Sequence, residues 1–184
     1  MRKNEKKKVK QSTKTSTGGY VFLAIIALGV ITSIGIELLR KFNDKKVLKY
    51  GVDNVCTIIE LSSNKTQFAK YSYKVDGKTY YSHRATPFYT IYPGERFKMK
   101  YLRENPEIDK ILYDYPLIKG QKQIRIKGYV QKVLRSNKAM FKYKYNGVQY
   151  ERWQLLRDGH SINQGDSIDV TVIETNPKIG ILQY

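Results

Sequence analysis

Two imidazoles, His83 and His160, one thiol, Cys56, and sixteen carboxylates are the groups in this 184-residue chain able to do acid–base, nucleophilic or metal chemistry. Their spacing assembles no familiar catalytic device. The chain has no glycine-rich phosphate loop, no His-Glu-x-x-His and no Gly-x-Ser-x-Gly. A single cysteine excludes an internal disulfide and any all-cysteine metal site. Two histidines are too few for most His-based metal centres, so each reads as a loop or strand residue. The acids are scattered and often stand beside turns, where they favour local hydrogen bonds. Cys56 lies in a strand pattern and reads as a small core residue. Asn64-Lys65-Thr66 fits a glycosylation acceptor, a three-residue match that arises easily by chance. The reading is therefore of a protein that is not an enzyme, with no cofactor and no metal.

Binding chemistry has better candidates. The segment TPFYTIYPG, Thr86 to Gly94, concentrates Phe88, Tyr89, Ile91 and Tyr92 between two prolines. A second segment joins Arg152, Trp153 and Arg157. Aromatic and arginine side chains anchor protein interfaces, and they also fill cores. Phe88, Tyr89, Tyr92, Arg152, Trp153 and Arg157 are the expected partner-binding residues, with burial as the competing reading.

The elements that must position them come from a repeat. YKVDGKTY, Tyr73 to Tyr80, returns as YKYNGVQY, Tyr143 to Tyr150. Asp-Gly and Asn-Gly favour two-residue hairpin loops, because both central residues need positive φ. That geometry predicts the pairs Val75 with Lys78, Tyr73 with Tyr80 and Tyr143 with Tyr150. Downstream, GERFKMKYLRENPEIDKIL (Gly94–Leu112) matches GDSIDVTVIETNPKIGIL (Gly165–Leu182), with one extra residue in the first copy. Each contains an alternating strand, an Asn-Pro turn signal and a closing apolar strand. VCTIIEL (Val55–Leu61) and KGYVQKVL (Lys127–Leu134) are first strands. The expected fold is mainly β: two tandem antiparallel five-strand units, each curled into a small barrel or sandwich. A unit this small is marginal alone, so the copies should pack on one another or share a sheet.

Ahead of them runs VFLAIIALGVITSIGIELL, Val21 to Leu39, whose only charge is Glu37. As a helix its 19 residues would reach about 28 Å, close to the hydrocarbon thickness of a bilayer. It is apolar all round and no small-x-small cleavage site follows, which favours an uncleaved single-pass signal anchor over a signal peptide or a core helix. Residues 1–50 carry 12 basic and 3 acidic side chains, against 22 and 13 in the remaining 134. Seven basic residues precede the span and five follow it, so the positive-inside bias places the N-terminus in the cytoplasm and residues 51–184 outside. Gly29 and Ser33 form a small-xxx-small pair that could support a homodimer through the helix. The expected layout is a basic disordered tail lying against lipid (1–19), a transmembrane helix (20–39), a linker (40–50), repeat 1 (51–112), a connector (113–122) and repeat 2 (123–184).

The pattern Tyr-x-Tyr-x-Val-Asp-Gly-x-x-Tyr, followed by Gly-Glu, alternating apolar residues and Asn-Pro, resembles an uncharacterised bacterial family of membrane-associated β domains of unknown function. The resemblance covers residues 51–112 and, less well, 123–182, where Tyr145 replaces Val75 and Asn146 replaces Asp76. It implies a membrane-tethered β module and supplies no catalytic residues. Together these readings predict a membrane-anchored protein of the cell envelope whose tandem β module binds a protein partner, for example as an immunity protein or an accessory subunit. The alternative is binding of an anionic polymer, lipid or nucleic acid through a basic aromatic face. The anchor makes nucleic acid the less natural ligand.

Overall fold

In the computed structural model the apolar span is helical, and the helix α1 covers Thr17–Tyr50. The structure describes residues 17–184 except positions 64, 65, 88, 89, 119, 160 and 184. Most of the expected basic tail lies outside the described residues, as do Phe88, Tyr89, His160 and the Asn64-Lys65 pair. From Tyr20 through Leu39 every side chain is exposed. The hydroxyls inside the span turn back on the helix: Thr32 Oγ1 donates to the Leu28 carbonyl at 3.0 Å and Ser33 Oγ to that of Gly29 at 2.8 Å. One helix is thus long and apolar enough to cross a membrane.

The chain divides into two units, residues 1–42 and 43–184. The expected linker is helical instead, because residues 40–50 contain good helix formers and no Gly or Pro before Gly51. There the Gly51 N–H caps the Val47 carbonyl at 2.8 Å. In the second unit the last two turns of α1 make specific contacts. Asp44 accepts from Lys110 Nζ at 2.6 Å and pairs with Arg84 at 3.4 Å. Lys46 meets Glu104 at 2.8 Å, and Val47 is fully buried.

Ten strands follow α1: β1 (Val52–Ser63), β2 (Gln67–Val75), β3 (Lys78–Ala85), β4 (Arg96–Leu102), β5 (Asn105–Leu117), β6 (Gln123–Leu134), β7 (Lys138–Tyr145), β8 (Val148–Leu155), β9 (Ser167–Ile173) and β10 (Asn176–Gln183). They form two antiparallel sheets in the orders β3-β2-β1-β4-β5 and β8-β7-β6-β9-β10, which is the same topology twice. The hairpin register is as the turn chemistry predicts: Tyr73 faces Tyr80 and Tyr143 faces Tyr150, with ring centroids 5.7 and 5.5 Å apart. Asp76, Gly77, Asn146 and Gly147 all have positive φ, as that loop requires.

The copies also share their irregularities. Each first strand carries a bulge, after Ile58 and after Val130. At each bulge the Ile58 or Val130 N–H donates to the carbonyl of Glu95 or Asp166, and the Gly94 or Gly165 N–H returns to the bulge carbonyl. The Glu95 and Asp166 carboxylates each accept from the backbone N–H three residues earlier, Tyr92 at 2.7 Å and Asn163 at 2.7 Å. Two sequence expectations shift. The turns before the closing strands are Arg103-Glu104 and Glu174-Thr175, and Asn-Pro opens the strand instead of making the turn. The closing strands also register without a gap, since Met99 pairs Ile111 while Val170 pairs Leu182. Ile111 thus corresponds to Leu182 and not to Ile181, and the first copy has no extra residue there.

Each sheet curls until its outer strands approach, and side chains bridge the remaining seam. In the first sheet Arg84 on β3 donates to the Asp109 carbonyl on β5 at 2.5 Å. In the second, Arg152 on β8 reaches the Lys178 carbonyl at 3.3 Å, and the Gln154 Oε1 accepts from the Leu182 N–H at 3.0 Å. The first core gathers Cys56, Ile58, Tyr71, Phe97, Met99 and Ile111; the second gathers Val130, Phe141, Tyr143, Val170 and Val172.

Candidate functional site

The two sheets meet where the segment before β4 reaches β8. Arg152 and Glu95 are each about 99 % buried at the side chain and form a bidentate pair, with Nη1 to Oε1 at 2.9 Å and Nη2 to Oε2 at 2.5 Å. Glu95 belongs to repeat 1 and Arg152 to repeat 2. Burial pushes the Glu95 carboxyl above its ordinary value, while Arg152 and the Tyr92 N–H pull it back. The Arg152 guanidinium also lies 5.9 Å from the centre of the Tyr92 ring.

The aromatic and arginine candidates gather around this pair. Trp153 and Leu155, on β8, pack against the core of repeat 1. Arg157 donates from Nε to the Asp114 carbonyl at 3.4 Å and lies 4.6 Å over the Tyr115 ring. Tyr92 is half-buried and packs with Ile118, Ile173, Ile179 and Ile181. Arg152, Trp153, Arg157 and Tyr92 therefore join one repeat to the other within this chain. They are drawn together because the β8 residues alternate between facing their own barrel (Arg152, Gln154) and facing repeat 1 (Trp153, Leu155). Glu95, the counter-charge, was visible in the sequence only as the acid of a Gly-Glu turn.

Beside the junction opens a cleft of about 590 Å³, lined by the end of β5 (Pro116, Leu117) with Ile118, by Gln123, Arg125 and Thr171, by Gln154 and Arg157, and by Ile181, Leu182 and Gln183. Its size is that of small-ligand sites. No carboxylate stands among the described lining residues. Gln154 and Thr171 are 2 % and 7 % exposed. Nothing in the sequence distinguished Arg125, Gln154 or Thr171 from other polar residues of alternating strands.

A second polar cluster lies inside repeat 1. Asp109 is fully buried, and it accepts hydrogen bonds from the Tyr71 hydroxyl and, at 3.2 Å, from that of Tyr73. The Tyr73 hydroxyl also meets the Pro106 carbonyl at 2.6 Å. Burial and then the Asp109 charge raise both phenols well above their ordinary range. In repeat 2 the equivalent positions are Phe141 and Gly180, so the hydroxyl and the carboxylate are replaced together. Only the tyrosine-to-proline bond survives, from Tyr143 to the Pro177 carbonyl at 2.8 Å. The cluster has no exposed face and serves the barrel.

Elsewhere the chemistry is sparse. Among the described residues no group of three or more His, Cys, Asp or Glu is placed to hold a metal ion. His83 stands exposed on β3, its ring 6.3 Å from that of Phe68. Cys56 is buried; its thiol points to the Phe97 carbonyl at 3.7 Å, and burial pushes it up to about 12. No family model, curated protein or solved structure matches this chain, so fold and site stand on their own geometry.

Proposed function

We propose that this protein is a single-pass, membrane-anchored, non-enzymatic component of a cell envelope, whose tandem β module binds a protein partner. The N-terminus lies in the cytoplasm and the module outside, following the basic bias before the span. The observation that carries the reading is the helix stretch from Tyr20 to Leu39. It is exposed throughout, and its internal hydroxyls bond to their own backbone, as a segment surrounded by hydrocarbon requires. A partner role is supported by the module's economy. Its buried charges are committed to internal contacts, Asp109 inside repeat 1 and Glu95 with Arg152 between the repeats, and the cleft beside the junction is lined by two arginines.

The test has two parts. The full chain should stay with membranes through alkaline carbonate washing and leave only with detergent. A cysteine at the exposed hairpin position Lys78, with the buried Cys56 as internal control, should react with a membrane-impermeant thiol reagent in intact cells. Release by carbonate would refute the anchor. Labelling only after lysis would reverse the orientation. Crosslinking of the full chain in membranes should then give one discrete heteromeric adduct, and recovery of the chain alone would refute the partner role.

A further inference from the structure

We infer that the cleft beside the repeat junction is a receptor site for a peptide carboxylate carried next to apolar residues. This deepens the partner-binding reading and rests on it. Three features of the cleft point the same way.

The first is charge. Arg125 and Arg157 both line the cleft, and no described lining residue is an acid. Arg157 is steadied by the Asp114 carbonyl and the Tyr115 ring, while Arg125 is exposed at the rim of β6. The second is a pair of polar side chains, largely buried, that line the cleft. Gln154 is oriented by the Leu182 N–H, which occupies its Oε1 and leaves the Nε2 amide as the donor it can offer. Thr171, on β9, lines the same cleft. Both side chains are more than nine-tenths buried. Polar groups held in place on a cleft wall orient an incoming acceptor. The third is the apolar wall of Pro116, Leu117, Ile118, Ile181 and Leu182.

These features choose the ligand. A phosphate is typically held by a nest of backbone N–H groups or several cations. Here β6 and β9 form part of the wall and pair in a ladder, and the Leu182 N–H on β10 is taken by Gln154. The exposed Arg125 guanidinium, Arg157 already engaged by Asp114 and Tyr115, an amide, a hydroxyl and an aliphatic wall fit a single planar carboxylate attached to a hydrophobic residue. A chain end or an acidic side chain flanked by aliphatic residues supplies that chemistry.

The probe is acetyl-Leu-Leu with a free C-terminal carboxylate, titrated into the full chain in detergent micelles and followed through the side-chain amide resonances of Gln154, Gln123 and Gln183. The acid should bind saturably and shift the Gln154 amide most. Its C-terminal amide should bind at least tenfold more weakly, and inorganic phosphate should not displace the acid. Arg125→Gln and Thr171→Val should each weaken binding at least tenfold, while Lys78→Gln, on the far hairpin, should not. Unchanged Trp153 emission certifies that each variant is folded. Equal binding of the acid and the amide overturns the inference. So does phosphate binding in place of the acid, absence of saturation, or indifference to both cleft substitutions. The two readings separate cleanly: a crosslinked partner with no peptide binding sinks only the cleft, and peptide binding without any crosslinked partner sinks only the partner role.

Discussion

Replacing Arg152 by Met tests whether the two repeats are held together by their buried charge pair. The substitution removes two short hydrogen bonds to Glu95 and a longer one to the Lys178 carbonyl. It leaves the Glu95 carboxylate buried, with the Tyr92 N–H as the remaining donor to its side chain among the described residues. Breaking one side of such a pair costs about 3–5 kcal/mol. Domains of this size are stable by about 5–15 kcal/mol, so the loss is a large share of the total. Glu95→Leu should cost a similar amount, because it strands a guanidinium that cannot discharge. The double variant Glu95→Leu with Arg152→Met removes both charges. It leaves the Tyr92 N–H without its acceptor, at about 1–3 kcal/mol, and should lie closer to the natural protein than either single variant. Urea unfolding of the full chain in micelles measures all four corners of this cycle. Trp153, the chain's only tryptophan, packs across the same junction and reports its opening through its emission. Should the Met variant fail to fold, Arg152→Lys, which keeps the charge and loses the fork, serves in its place and should still be measurably weaker. A loss under about 1 kcal/mol for Arg152→Met, or a double variant equal to the sum of the singles, would refute the reasoning, because a coupled buried pair cannot behave additively.

Three further outcomes follow from the packing. Gly180→Ala would place its Cβ 2.5 Å from the Tyr143 ring, so it should cost about 1–3 kcal/mol in the same urea experiment; Gly29→Ala, with open space around it, should cost nothing of this kind. Tyr71→Phe removes a hydrogen bond to the Asp109 carboxylate and should cost about 1.5–3 kcal/mol, and far less when Asp109→Gly is also present, since repeat 2 carries that combination. Alkali should unfold the protein: the Cys56 thiol titrates near its ordinary 9.0 when unfolded and at about 12 when folded, so its contribution is intact below pH 9 and falls by about 1.4 kcal/mol per pH unit as pH rises toward 12. Cys56→Ala should flatten part of that slope, and stability unchanged up to pH 11 would contradict it.

The hairpins were legible because turn chemistry is local. Asp76-Gly77 and Asn146-Gly147 tolerate the positive φ that a two-residue hairpin loop needs, and once they turn, the tyrosine pairs follow by counting. The apolar span was legible for a similar reason, since Glu37 is the only charge from Val21 to Leu39. The junction was not legible. Arg152 stands two residues after Tyr150 in an alternating strand, and nothing local reveals that its counter-charge lies 57 residues earlier. A buried Arg and an interface Arg have the same sequence signature, as do a packed Trp and an exposed one. The cleft was hidden for the same reason: its lining comes from five strands and two connections, and its polar members are recognisable only after the curl of the sheet brings them together.

The seams explain why two similar units are not interchangeable. In repeat 1 the bridging guanidinium is Arg84, and it answers Asp44 from the end of α1. In repeat 2 the equivalent of Arg84 is Gln154, and the guanidinium has moved to Arg152, where repeat 1 has Ser82; it answers Glu95 from repeat 1. Each seam thus carries its own cation, two positions apart on matching strands, and each cation meets an acid from the element that precedes its sheet. A second copy of repeat 2 set in place of repeat 1 would offer Asp44 an amide and would bury Arg152 opposite no carboxylate. Charge placement therefore fixes the order helix, first barrel, second barrel against its permutations, a use of buried polarity that apolar packing alone could not provide. The same rearrangement makes the cleft possible. With the guanidinium moved to Arg152, Gln154 remains at the seam facing β10, and an amide held there by the Leu182 N–H still has a donor to offer a ligand.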